Sequence, residues 1–169
     1  MKVVEIINQL DSNSKVFENL LSINCSEEIK WKQSEEKWCL LEIVNHLYDE
    51  EREDFRARLG KILNRDHEWD PIDPEGWVTS RKHMEKDYYQ TLKNFLDERK
   101  KSIEWLKNLK VDDWNVKAVH PKFGEFAAYP MLCNWLAHDY LHIRQITRLK
   151  YQMLEDSLKP GEVQYAGEW

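Results

Sequence analysis

Two histidines, His138 and His142, stand four residues apart in the segment NWLAHDYLHIRQI. On an α-helix this spacing puts both imidazoles on one face, a turn apart, with Cβ atoms about 5–6 Å from each other. Two neutral imidazoles so placed can grip one divalent ion at ~2.0–2.1 Å per bond. Trp135, Leu141 and Leu149 flank them at helical offsets, while Asp139, Tyr140 and Arg144 fall off that stripe. The pair is therefore expected on or beside a buried face, where an unpartnered polar ring is costly. An H-x-x-x-H pair also occurs as two hydrogen-bonded core histidines, so a metal reading needs a third ligand. His46 is the candidate, bordering the apolar stripe of another helix between Ile43, Leu47 and the Asp49/Glu50 pair. Three imidazoles from two packed helices form a facial set with a position open to water or substrate, as catalytic sites have. Because a ring must be neutral to ligate, binding is expected to weaken below pH ~6.

The remaining titratable groups are weaker candidates. Asp139 occupies the position of the glutamate in an H-E-x-x-H metalloprotease helix, so that motif is absent. Cys39 lies ~10 Å from His46 along the helix axis. Cys133 is rotated ~140° from His138, so neither thiol suits the same ion. Glu50, four residues after His46 on the same helix side, is the candidate general base or an orienter of the site; the alternative is a solvated helix acid. His83, among polar neighbours, is expected at the surface. His120 before Pro121 is expected exposed, with a cleft rim as the alternative, and His67 lies in an acidic loop.

Long helices must position these rings. Val3, Ile6, Ile7, Leu10, Phe17, Leu20 and Leu21 share one stripe, with Asn13 and Ser14 a weak point in its middle. Residues 23–33 read as a connection. Ser34 offers an N-cap for a second helix over about 35–63, with Glu51, Arg52, Asp54 and Arg58 on its outer face. Residues 64–78, with Pro71, Pro74 and Gly76, form a long loop, whose Trp69 and Trp77 are expected to cap the core, or else to wall a cleft. A third helix is expected from Thr79 or Ser80 to about Leu109, then a connection over 110–124. A fourth runs from near Pro130 to about Leu158, where Pro160-Gly161 stops it and a short tail follows. Four amphipathic helices with no strand pattern give an all-α four-helix bundle, a single domain over 1–169, with at least one long crossover connection.

Composition agrees. The 169 residues are 33% charged and 41% hydrophobic with only 5 Gly and 5 Pro, which excludes disordered and collagen-like classes and favours helix. The net charge of −6, with basic residues interspersed among acids, disfavours nucleic-acid binding. No apolar run approaches the ~18 residues of a membrane span, and MKVVEIINQL lacks a signal-peptide core. Three separated cysteines read as free thiols of a reducing, cytoplasmic compartment.

The segment WCLLEIVNHL, Trp38 to Leu47, resembles the second-helix signature of the DinB/YfiT-like superfamily. HPKFGEFAAYPM from His120 to Met131, leading into LAHDYLHIRQI from Leu136 to Ile146, is similar to its fourth. The resemblance covers most of the chain. It implies up-down-down-up wiring and a divalent metal, nickel or zinc, on His46, His138 and His142. It also implies a homodimer and a small-molecule substrate, with activity as a transferase using a low-molecular-weight thiol; the alternatives are a metal-dependent hydrolase and a metal-binding or stress-related module without turnover. Ala127 departs from the Thr or Ser common near the start of the fourth helix, leaving the cap of that helix open.

Overall fold

The apolar stripe from Val3 to Leu21 folds as α1 (Val3–Leu21) in a computed structural model that describes residues 1–23, 25–66, 68–122 and 124–167. Asn13 does not break it: the side chain is buried and donates to Asp139 Oδ2 at 3.0 Å, which satisfies a polar group inside the protein. A short α2 (Ser26–Lys30) interrupts the expected connection. The next helix, α3 (Leu40–Glu50), starts later than Ser34 suggests. The Ser34 hydroxyl is spent on Glu36, and Cys39 takes the N-cap, its N–H donating to Glu42 Oε2 at 2.9 Å. One π-helical turn (Glu51–Phe55) joins α3 to α4 (Arg56–Leu63), so the second long helix does reach Leu63. The wider turn shifts the helical phase, and the adjacent Glu50 and Glu51 are both buried. The expected outer face is thereby corrected at Glu51, and also at Asp54 and Arg58, whose largely buried side chains line a cavity.

Residues 64–66 and 68–87 cross back along the bundle and carry α5 (Pro74–Ser80), capped by Asp73. Lys82 has a φ of 53°, a left-handed conformation that ends helical continuity after α5. The third long helix, α6 (Tyr88–Asn108), therefore starts at an Asp87 cap and not at Thr79 or Ser80. The expected strandless connection over 110–124 is also corrected: β1 (Lys117–His120) and β2 (Gly124–Ala127) pair antiparallel, Lys117 opposite Ala127 and His120 opposite Gly124. Gly124 has a φ of 69°, which favours glycine. The hairpin settles the cap of α7 (Ala128–Ser157) as well. The carbonyls of Val116 and Trp114 accept from Ala128 N–H (3.0 Å) and Tyr129 N–H (2.9 Å), serving first-turn donors that the Ala127 side chain cannot.

Side-chain contacts fix the directions. Tyr88 Oη donates to the Leu21 carbonyl and Lys107 pairs with Asp11, so α6 runs antiparallel to α1. Tyr129 Oη donates to the Met1 carbonyl and Lys150 to that of Leu20, so α7 runs parallel to α1. Arg99 meets Glu51 and Ser102 meets Arg56, so α3–α4 runs parallel to α6. The bundle is thus wired up-down-down-up, and the two consecutive downward helices require the long crossover. One apolar cluster surrounds Phe17, Leu41 and Phe95, and another surrounds Leu10, Leu59 and Trp135. A polar layer lies between them: Asn13, His46, Glu51, Arg99, Asp139 and His142, each at the middle of its helix. Among the described residues, no helix is long and apolar enough to cross a membrane.

Candidate metal centre

His46 comes from the middle of α3, and His138 and His142 from successive turns of α7. The antiparallel packing of these helices brings their Nε2 atoms together. His46 Nε2 lies 3.3 Å from His138 Nε2 and 3.1 Å from His142 Nε2, and the latter two are 3.0 Å apart. His142 Nδ1 faces Gln145 Oε1 at 2.8 Å, so this nitrogen carries the proton and donates, leaving Nε2 a bare acceptor. For both contacts to His142 Nε2 to be hydrogen bonds, His46 and His138 must each be donors, and their own contact then sets two donors face to face. No protonation of three neutral rings satisfies the triangle. A cation does, because all three lone pairs can then point at it. The observed edges fall between the ~2.9 Å edge of an octahedron and the ~3.3 Å edge of a tetrahedron built on ~2.0–2.1 Å bonds. These three histidines are a group able to hold a metal ion.

The surroundings keep the rings neutral. Burial, followed by the neighbouring His142, lowers the pKa of His46 to about 3. Burial and the other two rings push His138 well below the imidazole range, and burial lowers His142. Trp38 packs on His46 with ring centroids 4.9 Å apart, and Phe55 packs on His138 at the same separation. His46 Nδ1 is buried without a hydrogen-bond partner among the described residues, so packing orients this ring.

Next to the triad lies a charged core that sequence reading missed. Arg99, 1% exposed, forms a two-pronged pair with Asp139 (both N–O distances 2.7 Å) and reaches Glu51 Oε2 at 2.9 Å. Trp135 Nε1–H donates to the same Glu51 oxygen at 3.2 Å. Asp139 thus turns inward, correcting the expectation that it lies off the buried stripe. Leu141 is the reverse case: it was expected to flank the buried face and is 53% exposed.

Glu50 is not a solvated helix acid. It is buried, Oε1 has no partner among the described residues, and burial together with hydrogen-bonded Asp54 pushes its pKa up to about 9. Asp54, its pKa also raised by burial, pairs with Arg58 Nε at 2.8 Å. A cavity of about 250 Å³ opens here, lined by Asp54, Arg58, His120, Phe126, Leu141 and, from the triad, His138. His120 therefore takes the cleft-rim alternative. Lys122 N–H donates to its Nδ1 at 3.0 Å, and Trp69, with Arg58 over its ring, packs on it at 4.7 Å. Trp69 thus packs on the cluster around Leu10, Leu59 and Trp135, as the core-capping expectation has it, and backs the rim residue His120 without lining the cleft, while Trp77 is stacked by Arg81 at 3.8 Å. His83, expected at the surface, is 1% exposed and its Nε2 donates to Asp49 Oδ2 at 3.1 Å. The crossover folds back onto α3 and covers it. The expectation for His67 lies outside the described residues.

No curated protein matches the chain. Among solved structures the fold is similar to YfiT from Bacillus subtilis, described as a probable metal-dependent hydrolase with an unusual four-helix bundle topology. That likeness has a TM-score of 0.79 at 17% sequence identity and covers 90% of this chain and 87% of the other. At that identity the likeness is one of fold. The sequence model of the DinB superfamily matches residues 9–146, a span holding most of α1, the whole crossover and all three clustered imidazoles. By that match this chain belongs to the DinB superfamily.

Proposed function

We propose that the protein is a metal-dependent enzyme acting on a small molecule, with His46, His138 and His142 as the ligands of a divalent cation. The observation that carries this reading is the Nε2 triangle, which no arrangement of protons satisfies and a cation does. A bound divalent ion, nickel or zinc as the resemblance to the superfamily implies, would lower the pKa of a thiol or water that reaches it. Three neutral imidazoles leave the full charge of the ion for that task.

The nucleophile in this reading is a low-molecular-weight thiol, transferred to an electrophile held in the cleft. Phe55, Phe126, Met131, Ala137 and Leu141 give that cleft apolar walls beside His138, which suits an electrophile protected from competing water. Asp54 is the carboxyl that faces the cleft, and Glu50 stands behind it holding a proton. Asp54 can take the thiol proton, and Glu50 can return one through Asp54 to a departing group, so that no net proton is lost. Glu50 is then an acid in this reaction and not the base that its sequence position suggests. A second reading, hydrolysis, is supported by the same carboxyl pair, which can serve water equally, and by the description of YfiT.

The test begins with protein purified without a histidine tag. Elemental analysis is expected to find about one divalent ion per chain, in keeping with one closed three-ligand set, and to lose it in His46→Ala, His138→Ala and His142→Ala. The loaded protein is then assayed with a thiol and an electrophile, and separately with esters and amides. Thiol-dependent turnover supports the first reading, and thiol-independent hydrolysis moves the assignment to the second. Tag-free protein that takes up no divalent ion overturns both.

A further inference from the structure

A second cleft lies further along α7 than the Asp54 cavity, beyond His142. It measures about 230 Å³ and is formed by the chain leading into α3 and the C-terminal half of α7. Its walls are Gln33, Lys37, Trp38, Gln145, Arg148 and Gln152, over a floor of Leu149. Three features set it apart. The chain carries a net charge of −6, yet no carboxylate lines this cleft. It holds two cations, Lys37 and Arg148, and among the described residues neither has an ion-pair partner, unlike Arg52, Arg56, Arg58, Arg81 and Arg99. Two of its walls also touch the triad directly: Trp38 packs on His46, and Gln145 Oε1 accepts from His142 Nδ1. The cleft is one side chain away from the clustered imidazoles.

A guanidinium and an ammonium that line one small space, with no ion-pair partner among the described residues, attract an anion even with Glu36 next to Lys37 in the chain. The three glutamine amides can accept and donate around it, and the Trp38 indole offers an apolar face to the organic part of a ligand. We propose that this cleft is a binding site for the anionic, non-reacting end of the substrate, a carboxylate or a phosphate, held by Lys37 and Arg148. The proposal rests on the reading of the triad as a metal centre only in calling the ligand a substrate. The anion site itself stands on the two cations. It divides the labour around the triad, with the apolar cavity on the His138 side and anion recognition on the Gln145 side.

The experiment uses the full chain as purified, with inorganic phosphate and succinate as separate probes so that the two anion sources are distinguished. Binding is followed by calorimetry and by the indole N–H resonance of Trp38, assigned through Trp38→Phe. Saturable binding of at least one probe, with movement of that resonance, is expected. Arg148→Gln and Lys37→Gln are each expected to weaken it about tenfold, the loss of one charge-assisted hydrogen bond. Lys100→Gln, on the exposed face of α6, is expected to leave it unchanged at equal metal content. Absence of saturable binding overturns the site, as does equal binding in all three variants. Anion binding that survives in a chain unable to take up metal supports the anion site and refutes the metal reading.

Discussion

Replacing Glu50 by glutamine is expected to stabilise the protein while disabling its chemistry. In the folded chain Glu50 is buried beside Asp54 with its pKa pushed up to about 9, whereas in the unfolded chain it titrates near the ordinary carboxyl value of 4.5. Between those pH values the native state holds a proton that the unfolded state has released. Stability therefore falls as pH rises from 4.5 towards 9, by about 1.4 kcal/mol per pH unit. At pH 7 the penalty accumulated over two and a half units is about 3 kcal/mol, an upper bound because Asp54 shares in the titration. Glutamine has the shape of the protonated acid and no charge to desolvate, so Glu50→Gln removes this penalty. The assay is urea unfolding of wild type and variant, metal-free, at pH 5 and pH 8. The variant is expected to gain less than about 1 kcal/mol at pH 5 and up to about 5 kcal/mol at pH 8 under the same upper bound, while losing turnover. A variant no more stable than wild type at pH 8, or a gain independent of pH, refutes the assignment of Glu50 as a buried, proton-holding acid.

Four further outcomes follow from the buried polar groups. Arg99→Met leaves Glu51 and Asp139 buried without their cation and is expected to cost about 3–5 kcal/mol, lowering Tm by roughly 6–20 °C for a chain of this size; a shift below 2 °C in thermal melts contradicts the buried network. In place of the weakening below pH ~6 that free imidazoles suggest, metal retention is expected to persist to lower pH, because burial lowers the ring pKa values; a pH titration monitored by bound metal that loses the ion at ~6.5 while the fold is intact contradicts this. The same depressed pKa makes acid destabilise the metal-free chain: below ~6.5 the unfolded rings bind protons that the native ones refuse, at about 1.4 kcal/mol per pH unit for His46 down to its folded pKa of about 3. His83→Ala is expected to reduce stability by roughly 1–3 kcal/mol, through the lost bond to Asp49, without loss of bound metal; elemental analysis and unfolding of one sample check both.

Much of the architecture was legible because helices are local. The stripe from Val3 to Leu21 matches α1 residue for residue at its ends, and the Pro160-Gly161 stop lies just beyond Ser157. The hairpin was not, since its strands have four residues each and only Ala118 is buried, too short an alternation to register. The starts of α3 and α6 were displaced for a similar reason: Ser34 and Thr79 are sound caps by type, but Cys39 and Asp87 won through backbone turns that residue types do not announce.

The candidate site divides along the same line. Four-residue spacing alone fixes His138 and His142 on one face of α7, because 3.6 residues per turn is a property of the backbone, and His46 could be nominated from its place on an apolar stripe. That the three nitrogens meet within 3.3 Å depends on the register of two helices some ninety residues apart in the chain. The burial of Glu50, the inward turn of Asp139 to Arg99 forty residues away and the covering of His83 by the crossover are likewise decided by packing. A charged residue on a helix looks the same in sequence whether water or a distant partner satisfies it, and only the tertiary arrangement supplies the partner.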